Sequence, residues 1–383
     1  MSKRGQGEGS IYKRDDGLWV GVVNLGFVNG KRKRKYLYGE TRKEVADKLA
    51  GVLRDHQQGL PVAMERQTIE EFVLRWLDES VKPHREDSTY FSYCQMARLY
   101  IIPRLGCIQV VKLTPRDIQK FINSLLEEGL SARTVQYNHA ILRRALNQAL
   151  RWDLIARNPA TLVDLPNRKK KSAAFLVPDD AIRLIEEIQG DRLEALYTVA
   201  LAIGLRKGEA LGLRWEDVDF TNCIINVRVA LQWIRGQKPK LKQLKTEKSQ
   251  RRLSLPSFAI EALQVHKRRQ QAEKEALGVA WDDSWGLVFC TGHGTPLGTR
   301  NVTRSFHEML VRAGLTRIRF YDMRHTCASL LLVQGVPLRV VMEILGHSQI
   351  TLTADLYTHV APLLLNEAAQ GMDTMFGKKE GEN

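Results

Sequence analysis

The sequence has 383 residues, of which 44% are hydrophobic, so it is long enough for about two or three domains with ordinary cores. Its 58 lysines and arginines against 43 acidic residues give a formal net charge of +15, which favours an anionic partner and nucleic acid in particular. The sequence has no apolar run long enough to span a membrane, no signal peptide pattern and no CxxC pair among its five cysteines, so we expect a cytoplasmic protein without disulfides or a zinc module.

Residues 1–60 are predicted to form a small domain of their own. The turn residues DDG precede an aromatic and β-branched run, and an Asn-Gly pair precedes KRKRKYLYG. These signals predict about three short antiparallel strands. A helical pattern follows, TRKEVADKLAGVLRDHQ, in which Thr41 and Glu44 are spaced as a capping box.

A run of five basic residues lies in the last of these predicted strands. Two tyrosines follow the run at alternate positions, so this face of the sheet could enter a DNA groove or bind phosphates. A charged edge strand that protects the sheet against aggregation is the alternative. The candidate DNA-binding residues here are Lys31, Arg32, Lys33, Arg34 and Lys35.

Residues 66–165 are predicted to be entirely helical, because four segments repeat apolar residues at spacings of three and four. In the last segment, SARTVQYNHAILRRALNQALRW, the apolar positions lie on one broad side and the arginines largely elsewhere. Those arginines could contact DNA or simply form a solvated face. The candidates are Arg133, Arg143 and Arg144.

Residues 166–174 are predicted to be a basic interdomain linker, since they contain Pro166 and four consecutive basic residues, RKKK. Arg168 and Lys169 are the linker's candidate phosphate contacts. The remainder, 175–383, is predicted to be a third domain. It begins with helices near 178–189 and 191–203, continues through a β-rich region from about 222 to 256, and returns to helices from about 300.

Two pieces of this third domain carry charged residues in suggestive positions. GLRKGEALGLRWEDVD places Arg206 and Glu209 three residues apart, which makes them neighbours on a helical face. QLKTEKSQRRLSLP places Lys245 before a polar turn that joins two strand-like runs. Taken singly, the first pair could be a surface salt bridge and the lysine a solvated turn residue.

Two further pieces lie closer to the C-terminus. YDMRHT supplies Arg324, and the apolar run that follows predicts that this cluster begins a helix. ILGHSQITLTADLYTHV supplies His347 and, ten residues later, Tyr357. Alone, the histidine could be a helix-end residue and the tyrosine a packed amphipathic side chain.

Together and in this order, these pieces resemble the tyrosine recombinase, or phage integrase, family. The resemblance rests on Arg206 with Glu209, on Lys245 in a KTxxSxR hairpin, and on DMRHT, LGH and YTH further along. It covers essentially the whole chain. It implies a multidomain, mainly α protein: an arm-type DNA-binding domain with a small N-terminal three-stranded β-sheet plus helix, a helical core-binding (SAM-like) domain and an α+β catalytic domain.

The resemblance also implies a role for each residue. Tyr357 would attack the scissile phosphate and form a 3′-phosphotyrosyl link, because a covalent intermediate preserves the bond energy of the cut strand. Arg206 and Arg324 would bind the nonbridging oxygens. Lys245 would protonate the departing 5′-oxygen. His347 would hydrogen-bond the phosphate, Glu209 would orient the first arginine, and no metal ion or other cofactor would be needed.

One position departs from the family pattern. Where the family has histidine in its HxxR motif, this chain has Tyr321. A phenol can still donate a hydrogen bond to phosphate, so the substitution could be tolerated, although a damaged site is the alternative. His325 is offset from the motif position and is not predicted to take its role.

The implied function is a site-specific recombinase that integrates or excises a mobile element, with double-stranded DNA as partner at core sites and arm sites. A homotetramer on DNA is expected, with an excisionase and a host DNA-bending protein as possible further partners. The apolar tail APLLLNEAAQGMDTMF could dock on a neighbouring protomer or on its own domain. A type IB topoisomerase-like enzyme and a catalytically impaired DNA-binding protein are the rival functions.

Overall fold

The computed structural model describes residues 9–28, 31–57, 67–168, 174–234, 236–244 and 250–346, with the side chains of 25–28, 31–33 and 54–57 left undescribed. The chain divides into two compact units, Met1–Lys170 and Lys171–Asn383. Within the described ranges, no helix is long and apolar enough to cross a membrane.

The N-terminal segment forms the predicted antiparallel three-stranded sheet in the order β1-β2-β3, from strands β1 (Ser10–Lys13), β2 (Trp19–Val28) and β3 (Lys31–Gly39). Helix α1 (Arg42–Gln57) packs on one face, where a side chain at Gly21 would come within 2.9 Å of Val45. Since neighbouring strand residues face opposite ways, the other face presents the exposed rings of Tyr12, Tyr36 and Tyr38. The predicted Asn29-Gly30 turn lies outside the described residues.

The predicted cap of α1 is confirmed with one change. The hydroxyl of Thr41 accepts a hydrogen bond from the backbone N–H of Glu44 at 3.2 Å. The carboxylate of Glu44 accepts from the N–H of Glu40, at 3.1 Å, rather than from that of Thr41. The two side chains thus satisfy one backbone N–H in the first turn of the helix and one that precedes the helix.

The next segment is helical, as predicted, and folds around its own apolar core. Its last helix, α6, buries Val135, Leu142, Leu146 and Ala149 on one side. The side chains of Thr68, Thr114 and Ser131 cap three of the helices. The helices are α2 (Ile69–Trp76, continued by a π-helical turn, Leu77–Val81), α3 (Asp87–Met96, with a second π-helical turn, Ala97–Ile101), α4 (Ile102–Leu105), α5 (Pro115–Glu127) and α6 (Ala132–Arg151).

The second unit packs helices around small antiparallel sheets and a large apolar core. The prediction that helix returns only near residue 300 is wrong, because α10 begins directly after the last strand. The helices are α7 (Pro178–Glu187), α8 (Glu194–Ile203), α9 (Lys207–Leu211), α10 (Ser257–Leu277), α11 (Thr299–Arg312), α12 (Asp322–Val333) and α13 (Leu338–Leu345).

The strands of this unit correct the predicted hairpin around Lys245. The strands are β4 (Val218–Asp219), β5 (Ile224–Val227), β6 (Val229–Gln232), β7 (Lys240–Gln243) and β8 (Arg251–Ser254). β6 pairs with β7, whereas β5 pairs with β4 and β8. β5 and β6 follow each other along the chain, and β8 and β7 pair antiparallel with them in turn. β7 and β8 therefore do not pair with each other. Residues 244–250 therefore connect two strands that do not pair.

Candidate active site

The first predicted pair, Arg206 and Glu209, meets at the start of α9. Arg206 is the residue before the helix, and its Nη1 donates to Oε1 of Glu209 at 2.6 Å. The backbone N–H of Arg206 donates to the other carboxylate oxygen, Oε2, at 2.9 Å. Glu209 is almost completely buried, whereas 37% of the Arg206 side chain remains exposed. The carboxylate therefore fixes the guanidinium at the protein surface.

Arg324 lies in the first turn of α12 and is among the most buried side chains described, at 1% exposure. Its Nη1 donates to the carbonyl of Gly204 at 2.7 Å, and its Nη2 donates to the carbonyl of Leu345. Burial, followed by the charge of Arg206, lowers the pKa of Arg324 to about 10. At neutral pH the side chain therefore remains a cation.

Gly204 makes this contact possible. It ends α8 in the left-handed conformation, with φ at 62°, and its carbonyl faces Arg324. A side chain there would come within 2.4 Å of Leu345. Only glycine satisfies both the backbone conformation and the close approach of α13.

A third arginine, which the sequence analysis did not select, completes the cluster. Arg251 is the first residue of β8, and only 6% of its side chain is exposed. Its Nη2 donates to Oε2 of Glu209 at 2.9 Å, and its Nε donates to the carbonyl of Ile344 at 2.8 Å. The signal in the sequence was the final arginine of the KTxxSxR motif.

The three arginines bind three consecutive carbonyls at the end of α13. Arg251 binds Ile344 and Arg324 binds Leu345, while Nη2 of Arg206 donates to Gly346 at 3.2 Å. The last carbonyls of a helix have no partner within the helix and carry partial negative charge, so guanidinium groups satisfy and stabilise them. Gly346 closes α13 in the left-handed conformation, with φ at 63°.

The charge of Glu209 depends on these partners. Burial would raise the pKa of the carboxyl group, but the hydrogen bond and charge of Arg251, with a further contribution from Arg206, lower it below its usual value. Glu209 is therefore ionised at neutral pH. Three guanidinium groups and one carboxylate leave the cluster with a net charge of two positive units, which suits an anion such as a phosphate.

The YDMRHT cluster does start a helix, as its pattern predicted. Tyr321 precedes α12 and is 44% exposed, while the carboxylate of Asp322 is turned inward to Arg319, at 2.6 Å from Nη2. The ring of Tyr321 lies edge-on against that of His325. Burial lowers the pKa of His325, and its buried Nδ1 has no hydrogen-bond partner in the described part of the chain. The imidazole is therefore neutral at physiological pH.

Lys207, beside Arg206, is a second residue that the sequence analysis passed over. Its Nζ donates to the hydroxyl of Thr303 in α11 at 3.2 Å, and burial lowers the pKa of its amine. It adds a partly covered cation to the cluster's edge.

Three of the six predicted catalytic residues, Lys245, His347 and Tyr357, lie outside the described residues. Of the predicted DNA contacts, Lys169 also lies outside them, and the side chains of Lys31, Arg32 and Lys33 are not described. Six candidates are described in the first unit, all of them at least partly exposed: Arg34, Lys35, Arg133, Arg143, Arg144 and Arg168.

One of these six has a clear intramolecular role. Arg144 donates through Nη1 to the hydroxyl of Tyr93, and its guanidinium lies 5.8 Å from the centre of the same ring. Tyr137, which is exposed, packs edge-on against Tyr93 and binds the hydroxyl of Ser92 at 2.9 Å. Arg144 is thus held against the ring of Tyr93 while the residue remains exposed to solvent.

Comparison with known proteins places these motifs in context. Residues 174–363 match the phage integrase family, and residues 68–126 match the family's N-terminal SAM-like domain. A "Tyrosine recombinase XerC-like" protein of Caldanaerobacter subterraneus subsp. tengcongensis is 33% identical over 91% of this chain and 93% of its own. An "Integrase" of Streptomyces ambofaciens is 30% identical over 98% of both chains.

Two solved structures share the fold. The integrase of transposon Tn1549, in complex with a circular intermediate DNA, aligns with a TM-score of 0.67 and 21% identity over 79% of this chain and 99% of its own. A lambda integrase tetramer bound to a Holliday junction aligns with a TM-score of 0.57 and 16% identity over 92% of this chain and 96% of its own.

Proposed function

This chain belongs to the phage integrase family of tyrosine recombinases, and we propose that it cuts and rejoins DNA at specific sites to integrate or excise a mobile genetic element. The observation that carries the proposal is the convergence of Arg206 and Arg324 on adjacent carbonyls at the end of α13. Two permanent cations that are far apart in sequence thereby meet at one small surface, as the binding of a phosphodiester requires.

The exposed arginine supports the phosphate-binding part of this proposal. The guanidinium of Arg206 uses two of its five N–H groups for Glu209 and Gly346. The other three have no partner among the described residues, and the side chain is 37% exposed. A scissile phosphate would therefore meet Arg206 first, and the buried Arg324 would add positive charge from beneath it.

The covalent step would use residues beyond the described part of the chain. The hydroxyl oxygen of Tyr357 attacks phosphorus and gives its proton to surrounding water, and the bond from phosphorus to the 5′-oxygen breaks. Lys245 gives that oxygen its proton, so that a free 5′-hydroxyl and a 3′-phosphotyrosyl bond result. The 5′-hydroxyl of another strand reverses the step and rejoins the DNA. His347 and Tyr321 would donate hydrogen bonds to the phosphate.

The domain roles follow the sequence prediction. Residues 66–165 and 175–383 would hold core-site DNA, with 166–174 following the phosphate backbone between them. The N-terminal sheet, 1–60, would bind separate arm sites through the face that carries Tyr12, Tyr36 and Tyr38. Support comes from the chemistry of that face, where exposed aromatic rings lie beside the exposed Arg34.

The assembly we propose is a tetramer, in which two protomers on one site join two on another. Support comes from the shared fold with the lambda integrase, which forms a tetramer on a Holliday junction. An excisionase and a host DNA-bending protein are proposed as accessory partners on the strength of family resemblance alone.

A two-site recombination assay tests the proposed function. Purified protein is mixed with one supercoiled plasmid that carries both attachment sites and with a second plasmid that carries none. We expect recombinant product from the first plasmid only. Relaxation of both plasmids without recombination would identify a topoisomerase-like enzyme, and binding without any strand cleavage would identify a DNA-binding protein that has lost catalysis.

A further inference from the structure

Arg251 is a buried cation that none of the proposed chemical steps uses. It is the first residue of strand β8, and only 6% of its side chain is exposed. A charge withdrawn from water is costly unless hydrogen bonds and an opposite charge compensate it. Such a residue at the edge of a phosphate site calls for an explanation.

The contacts of Arg251 join three parts of the site. Its Nη2 binds Oε2 of Glu209 at 2.9 Å, and Oε1 of the same carboxylate holds Nη1 of Arg206 at 2.6 Å. Its Nε binds the carbonyl of Ile344 at 2.8 Å, three residues before His347. One planar side chain thus links the first turn of α9, the start of β8 and the end of α13.

We propose that Arg251 is a positioning residue for strand cleavage, which orients Arg206 through Glu209 and holds the end of α13 in register with the start of β8. This inference rests on the proposed function. Arg251 does not need to touch DNA, because its effect passes through Glu209 and through the backbone at Ile344.

Charge provides a second way in which Arg251 acts. The groups that face Glu209 are Arg206 from the start of α9, Arg251 from β8 and Arg324 from α12. Burial pushes the pKa of Glu209 up, and Arg251 contributes most to lowering it again. Without Arg251 the pKa of Glu209 would be higher, so the carboxyl group would stay protonated up to a higher pH. A protonated Glu209 could no longer hold Arg206 as an ion pair.

The test compares single-turnover cleavage by the full chain and by Arg251→Met, with DNA affinity measured separately. We expect cleavage to slow by on the order of 10- to 100-fold, since small misplacements at a reacting centre have effects of this size. The slowing should be strongest at acidic pH and should diminish as pH rises. Arg252→Met, at the exposed neighbouring position, is the matched control and should cleave at the wild-type rate and with the wild-type pH profile.

Arg251→Lys gives a second arm, because lysine keeps the charge but lacks the planar group whose separate nitrogens reach Ile344 and Glu209. It should fall between wild type and Arg251→Met. Wild-type rates and pH profiles in both variants would overturn the proposal, as would a loss confined to DNA affinity. If neither variant folds, Arg251 is a folding residue and the proposal is equally overturned. Wild type that cannot cleave under the same conditions would instead contradict the proposed function.

Discussion

The ring of Tyr321 lies edge-on against His325, with centroids 5.0 Å apart and planes at 80°. Because the two residues are four apart at the start of α12, the helix itself sets this contact. The histidine is neutral and the tyrosine is exposed, so one side of the phenol packs against the imidazole and the other side faces solvent. This arrangement suits a hydrogen-bond donor that replaces the family histidine.

Replacing Tyr321 tests that role. If the hydroxyl donates to the phosphate in the transition state, Tyr321→Phe should slow cleavage by on the order of 10²- to 10³-fold, the effect of losing one preorganised donor. Arg324→Ala should be slower still, because it removes a charge as well as directed hydrogen bonds. Tyr321→His should retain activity. The measurement is the single-turnover rate on DNA that is already bound.

The control is the packing of the ring. Phenylalanine keeps the edge-on contact with His325, so Tyr321→Phe should unfold at the wild-type temperature. Wild-type cleavage by this variant would show that the hydroxyl has no catalytic part. Inert wild type alongside active Tyr321→His would show that the natural site is damaged.

Removing the N-terminal domain should separate two kinds of DNA binding. A chain that begins near residue 62 should cleave a core site but lose affinity for separate arm sites, since the sheet and its basic strand would be gone. Phosphate contacts make that lost affinity strongly salt-dependent. Footprinting on complete attachment DNA, at two salt concentrations, makes the comparison.

A variant of the full chain serves as the matched control for this truncation. Arg34→Ala combined with Tyr38→Ala alters the exposed sheet face without touching Val45 beneath the other face. It should weaken arm-site footprints in the same direction. Footprints that are identical for wild type and the truncated chain would contradict the proposed arm-binding role.

Cleavage should continue in excess chelator. Arg206 and Arg324 already provide two guanidinium groups at the proposed phosphate site, and Lys245 would supply the proton for the leaving oxygen. The check is the single-turnover rate with EDTA, followed by added magnesium. Activity that EDTA abolishes and magnesium restores would indicate a metal-dependent nuclease.

Local patterns predicted much of this molecule. The turn signals predicted β1 to β3, and the spacing of Arg206 and Glu209 predicted their ion pair, because both depend on residues close in sequence. α10 was missed because its buried side includes His266 and Gln270, which interrupt the apolar period.

The long-range part of the site was not predictable in the same way. Arg324 binds the carbonyl of Gly204, and Arg251 binds the carbonyl of Ile344. Every residue has a backbone carbonyl, so the sequence does not indicate which of them will accept these hydrogen bonds. A charged residue such as Arg251 also gives no sign that it will be buried. The resemblance identified the proposed reacting residues, whereas the contacts that hold Arg206 and Arg324 are seen only in the folded chain.

The most direct test of the central claim is covalent trapping on a nicked attachment-site DNA, from which the released 5′ end diffuses away. Wild type should form a protein–DNA adduct that survives denaturation, and Tyr357→Phe should bind the same DNA with equal affinity but form none, because only the nucleophilic oxygen is missing. An adduct with Tyr357→Phe, or none with wild type that binds the site, would contradict the assignment of this chain as a recombinase that acts through Tyr357.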